Sequence, residues 1–135
     1  MACWLVKTEP DDYSFDDLVR DGRTRWDGIK NALALKHLRQ MKKGDEVLIY
    51  HTGKQRALIG TATVLRAPHP DPEKDDPKLA VVDLKAGKAL PAPVTLAAVK
   101  ADRSFADFAL VRMPRLSVMP VTAVQKRRLM TLART

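Results

Sequence analysis

Two runs of aliphatic and β-branched residues, Glu46 to Tyr50 and Ala57 to Leu65, stand on either side of a polar stretch, His51 to Arg56. Runs of this kind favour extended backbone, and the turn between them predicts an antiparallel pair of strands. Trp4-Leu5-Val6 reads as a further short buried strand. It closes at Thr8-Glu9-Pro10, because Pro10 has no N–H to donate and biases Glu9 toward an extended conformation. Ser14 caps a short helix that ends near Asp21-Gly22, and a polar loop carrying Trp26 follows. From Asn31 the apolar residues Leu35, Leu38 and Met41 fall on one helical face, and Gly44-Asp45 ends that element.

Residues 68 to 78 hold four prolines and read as an irregular surface loop. Leu79 to Leu84 is another strand candidate. Thr95 begins a helix through Lys100, Phe105 and Phe108 are core anchors, and Arg115 to Met119 reads as a last strand. Thr122 and Gln125 have the spacing of a capping box, so a C-terminal helix starts there. Short strands interrupted by short helices predict an α+β domain built on a small, mostly antiparallel barrel.

A chain of 135 residues suits one domain, spanning 1–135. Hydrophobic residues at 45% and charged residues at 30% argue against both a disordered and a membrane protein. Cys3 is the lone cysteine, which excludes a disulfide framework and a multi-cysteine zinc site. Acidic and proline residues come too early for a secretory leader, and no apolar run is long enough to span a bilayer. A soluble, cytoplasmic, monomeric protein is expected. Its net charge of +8 favours an anionic partner. The excess is concentrated: residues 100 to 135 hold eight basic side chains against two acidic ones. The competing reading is a solvated helix surface.

Enzyme motifs are missing: there is no phosphate loop, no GxGxxG, no HExxH and no GxSxG. His37, His51 and His69 lie far apart in the sequence and offer no metal-ligand spacing, and neither metal nor cofactor is expected. Near Tyr50, His51 could act as a base, although a structural or ligand-contacting histidine is favoured. Asp11, Asp12, Asp16 and Asp17 flank a helix start, where negative charge suits the macrodipole.

Trp26 needs a reason to sit in a polar stretch. A nucleobase is a flat apolar plate with polar edges, so its site needs an aromatic face and a few fixed donors and acceptors. Trp26, Asp27 and Asn31 supply both kinds. The alternative is a tryptophan folded over the core as a lid, its ring nitrogen bonded to a carbonyl.

The stretches WLVKTEP at 4 to 10, RWDGIKN at 25 to 31, MKKGDEVLIYHT at 41 to 52, GTATVLRAPHPDP at 60 to 72, PVTLAAVKAD at 93 to 102 and LVRMPRLSVMPVT at 110 to 122 together resemble the EVE domain family. That family belongs to the PUA-like superfamily and is similar to YTH domains, which read methylated adenine in RNA. The resemblance implies a β-pseudobarrel flanked by short α-helices, with a pocket for a modified base, of a modified-cytosine type, extruded from DNA or RNA. It implies no catalytic activity. By position, Trp26 resembles the stacking tryptophan, Lys7 and Thr8 border the pocket, and Asp27, Gly28 and Asn31 lie beside it. Tyr50, His51 and Thr52 match the pocket wall, and Arg112, Arg115, Leu116 and Ser117 match a block whose arginines meet phosphates. YTH domains add a second aromatic from the loop after the second barrel strand. Residues 66 to 80 contain none, so either His69 substitutes or the cage is half open. Two other functions compete: a PUA-like enzyme acting on a small nucleoside or amide through His51 or Lys7, and a module that binds RNA non-specifically.

Overall fold

The computed structural model describes residues 1–134. In it the two aliphatic runs form the antiparallel pair β3 (Glu46–His51) and β4 (Ala57–Pro70). The first strand, β1 (Cys3–Thr8), lies parallel to β3 and antiparallel to β6 (Val118–Val121). On the other side β4 pairs with β5 (Ala80–Thr95), and β5 with β2 (Arg23–Trp26). The six strands form one mixed sheet in the order β2-β5-β4-β3-β1-β6, antiparallel except for β1 and β3. With its short flanking helices this is the expected α+β architecture.

Helix boundaries follow their caps. In α1 (Phe15–Asp21) the Ser14 hydroxyl accepts from the Asp17 N–H and the Asp17 carboxylate accepts from the Ser14 N–H, a reciprocal box. Asn31 caps α2 (Ala32–Arg39), Thr95 caps α3 (Leu96–Ala101), and Thr122 with Gln125 boxes α5 (Ala123–Leu132). A single turn, α4 (Ala109–Arg112), lies between α3 and β6. Among the described residues no helix is long and apolar enough to cross a membrane.

Several expectations need correction. Trp26 ends strand β2 rather than lying in a loop, with Arg23 to Trp26 paired to Lys85 to Val82. His51 ends β3 and is not part of the turn. Pro68, His69 and Pro70 belong to β4, and β5 runs eleven residues past Leu84, with Pro91 and Pro93 inside it. Prolines are tolerated there because the β4–β5 ladder is repeatedly interrupted, its register shifting between Leu58 and Gly60, Gly60 and Ala62, Val64 and Arg66, and Arg66 and His69. The last strand starts at Val118, since the Leu116 N–H closes a turn on the Met113 carbonyl at 3.0 Å.

Those irregularities matter beyond the ladder. Each bulge bends and twists its strand, so the β4–β5 ribbon coils and the far edge strand β2 swings round toward β1 and β6. The core fills the concave side with Leu5, Leu48, Leu58, Leu84, Phe15, Phe105, Phe108 and Met119, all fully buried. Gly60 is a point of close approach: a Cβ there would collide with the ring of Phe15, itself 2% exposed. Gly60→Ala should therefore cost about 2 kcal/mol through overpacking, read as a lower urea midpoint at unchanged slope. A wild-type midpoint would show that Phe15 has room to move.

Candidate functional site

Where the coiled sheet brings β2 toward β1, the two strands do not pair. Between them lies a hollow of about 490 Å³, within the range of small-molecule sites. Lys7, Thr8 and Glu9 line it from the end of β1, Asp12 and Tyr13 from the turn before α1, and Thr24 to Ile29 from β2 and beyond. Ser117, just ahead of β6, completes the wall.

Trp26 is 6% exposed and packs on the core, yet it borders this hollow. Tyr13 meets it edge to face, ring centroids 6.2 Å apart and planes at 81°. The chain's two tryptophans differ in one respect. Trp4 donates its indole N–H to the buried carboxylate of Asp45 at 3.0 Å, as a structural tryptophan does. The indole N–H of Trp26 has no protein partner among the described residues, so the carbonyl bond of the lid reading is not made.

Lys7 approaches from the opposite wall. Its backbone N–H donates to the Ser117 carbonyl at 3.0 Å, and its ammonium donates to the Pro114 carbonyl at 2.9 Å. The ammonium also stands 5.6 Å from the centre of the Tyr50 ring. Among the described residues no carboxylate pairs with it. Burial accordingly pushes its pKa below the ordinary lysine value. This is a partly desolvated cation with donor capacity to spare, on a residue lining a cavity that Asp27 also lines.

The residues expected at the site divide into three groups. Lys7, Thr8, Trp26, Asp27, Gly28 and Ser117 line the hollow. Asn31, Arg112, Arg115 and Leu116 line an adjacent groove of about 340 Å³ instead. The Asn31 side chain is already engaged, accepting from the Ala34 N–H at 3.0 Å as the cap of α2. Tyr50, His51 and Thr52 stand behind the wall and not on it. Tyr50 is buried under Lys7, and the Thr52 N–H donates to the Thr8 carbonyl at 2.9 Å, holding the end of β1 in place.

His51 is fully committed. Its Nε2 accepts from the Phe15 N–H at 2.9 Å, so the ring proton is on Nδ1, which donates to the Gln55 side-chain oxygen at 2.7 Å. No lone pair is left for base catalysis. His69 does not complete the cage either, since it bonds Asp83 at 3.3 Å on the β4–β5 ribbon and does not line the hollow.

The second aromatic lining the hollow is Tyr13, which sequence reasoning missed along with Glu9, Asp12, Thr24, Arg25 and Ile29. A signal was present. Pro10 announces a turn, and here the N–H groups of Asp12 and Tyr13 both return to the Glu9 carbonyl at 2.9 Å, while the Thr8 hydroxyl donates to the Tyr13 carbonyl at 2.7 Å. A chain reversal directly after a pocket strand places whatever follows it on that pocket.

A larger hollow, about 590 Å³, lies between β1, β6 and α5 beside Cys3 and Trp4. It offers less chemistry. Burial, with the nearby Glu46 charge, pushes the Cys3 thiol up to about 12, which keeps it neutral and unreactive near pH 7. Among the described residues no three His, Cys, Asp or Glu side chains are grouped to hold a metal ion.

With the geometry in view, comparison with known proteins is informative. A family model described as the EVE domain matches residues 2–132. Thymocyte nuclear protein 1 from Homo sapiens is 28% identical over an alignment covering 88% of this chain and 68% of its own length. The NMR structure of Rpa0253 from Rhodopseudomonas palustris superposes with a TM-score of 0.93 at 41% identity, covering 98% of this chain and 93% of that one. The crystal structure of human THYN1 protein in complex with 5-methylcytosine-containing DNA superposes with a TM-score of 0.91 at 25% identity, covering 100% of this chain and 99% of that one.

Proposed function

The chain belongs to the EVE domain family, and from that premise we propose that it is a nucleic-acid reader whose hollow accepts a modified cytosine base extruded from DNA. The observation that carries the proposal is the pairing of walls around one cavity: Trp26 and Tyr13 on one side, the uncompensated Lys7 ammonium and the Asp27 carboxylate on the others. The human relative held in complex with 5-methylcytosine-containing DNA supports the choice of ligand.

The chemistry selects cytosine over thymine. Cytosine presents the acceptors O2 and N3 and a donor amine at C4, which suits an ammonium and a carboxylate placed apart on one rim. Thymine presents a donor at N3 and an acceptor at O4, and would set each group against a like partner. A methyl group at C5 adds apolar surface to bury, worth about 0.8 kcal/mol or roughly fourfold in affinity. The site binds without turnover, because both nitrogens of His51 are engaged and Lys7 acts as a hydrogen-bond donor.

The test is fluorescence anisotropy at fixed salt with duplexes that differ only in one central base: cytosine, 5-methylcytosine or thymine. The 5-methylcytosine duplex should bind tightest. Asp27→Asn should reduce discrimination against thymine by about 1–3 kcal/mol, weakening the cytosine and 5-methylcytosine duplexes together while leaving the thymine duplex nearly unchanged. Equal affinity for all three probes, collapsing together as salt rises, would instead support non-specific backbone binding.

A further inference from the structure

The groove beside the pocket carries one feature that base recognition does not use. Met113 is 42% exposed, an apolar side chain left in solvent between Arg112 and Arg115. Its backbone is held on both sides: the Met113 N–H donates to the Ala109 carbonyl at 2.7 Å, and its carbonyl accepts from the Leu116 N–H at 3.0 Å. The segment is also fastened to the pocket, since the ammonium of Lys7 reaches the next carbonyl, that of Pro114. Groove and pocket are therefore neighbours. The chain from Asp27 to Asn31 and the chain from Arg112 to Ser117 run from one into the other.

Resting on the base-reader reading above, we infer that Met113 is a wedge that enters the DNA base stack at the gap left by the extruded nucleotide. Extruding a base from a duplex leaves an unstacked, apolar vacancy next to the pocket mouth. Apolar side chains, methionine among them, fill such gaps and offset the unstacking cost. Methionine suits the role because its unbranched, polarisable side chain adapts to an irregular space. Arg112 and Arg115 flank it in sequence and suit the phosphates beside a displaced nucleotide: Arg112 pairs at 3.4 Å only with the exposed Asp107, and Arg115 has no carboxylate partner among the described residues. Leu33, Pro114 and Leu116 supply the apolar floor on which the neighbouring base pair rests.

A wedge matters only where there is a stack to enter, and this separates it from the pocket. Wild type, Met113→Ala, Met113→Leu and Trp26→Phe would be titrated against one 5-methylcytosine oligonucleotide and its unmodified counterpart, each both as a duplex and as the single strand. Met113→Ala should weaken duplex binding about tenfold and single-strand binding less than about twofold, with Met113→Leu close to wild type. Trp26→Phe should weaken both forms alike. Wild-type duplex affinity in Met113→Ala, or an equal loss on both forms, would overturn the wedge and leave the pocket standing. If wild type itself fails to prefer the modified base in either form, the base-reader reading falls and the wedge falls with it. Thermal melts accompany each variant, and because Met113 is exposed its alanine form should melt as wild type does.

Discussion

Trp26→Ala is expected to lose both binding and stability. Loss of the stacking face should cost about 1–3 kcal/mol of affinity for a 5-methylcytosine duplex, roughly 5- to 150-fold. Because the ring is only 6% exposed and belongs to the core cluster, truncation also leaves a void, which should lower unfolding free energy by about 3–5 kcal/mol. Binding loss in this variant alone would therefore not separate a pocket wall from a general collapse. Trp26→Phe resolves the two, since it keeps an apolar ring in the core and shortens the face offered to a base. It should melt much closer to wild type while binding remains clearly weakened. Undiminished affinity in both variants would remove this hollow from consideration as the ligand site.

Asp45→Ala should destabilise the fold by roughly 3 kcal/mol. Asp45 is 5% exposed, and its carboxylate accepts from the Trp4 indole at 3.0 Å, the Lys42 N–H at 2.9 Å and the Ala2 N–H at 3.2 Å. Removing it strands a buried indole donor and a loop amide together. The same site should show in the pH dependence of stability. Burial alone would raise this carboxyl's pKa, but the hydrogen bonds from Trp4, Lys42 and Ala2 outweigh it and hold the pKa below its ordinary value of 3.8. With the folded value below the unfolded one, Asp45 contributes its stabilisation above the ordinary aspartate range. That contribution is lost as the pH falls through that range toward the folded pKa. Urea melts from neutral pH downward should show a wild-type decline that Asp45→Asn, already less stable, lacks in part. Parallel declines in the two proteins would assign the acid sensitivity to other carboxylates.

Lys7 shows how far local reasoning reached. Its place in WLVKTEP marked it as a pocket residue, and the structure puts it on the hollow. Its value to a ligand comes from what surrounds it: a carbonyl from Pro114, a ring from Tyr50 and no counter-ion among the described residues. None of these neighbours is close in sequence. His51 makes the converse case. As a histidine beside a tyrosine it suggested chemistry, and only the approach of the Phe15 amide, 36 positions away, shows that its nitrogens are taken.

The local patterns were sufficient for the parts whose physics is local. Ser14 with Asp17, Thr122 with Gln125, and the single caps Asn31 and Thr95 satisfy amides within three residues, so those helix starts could be read directly. The β3–β4 pair was equally legible from β-branched content and one short turn. What the tertiary structure alone decided was Trp26 as a strand residue, Tyr13 as its edge-to-face neighbour on the cavity wall, and Met113 as an exposed apolar point beside it. Each depends on how far the irregular β4–β5 ribbon coils and where it leaves β2 relative to β1. That coiling is set by pairings between residues distant along the chain, and the energy of such a pairing exists only once both segments are in place.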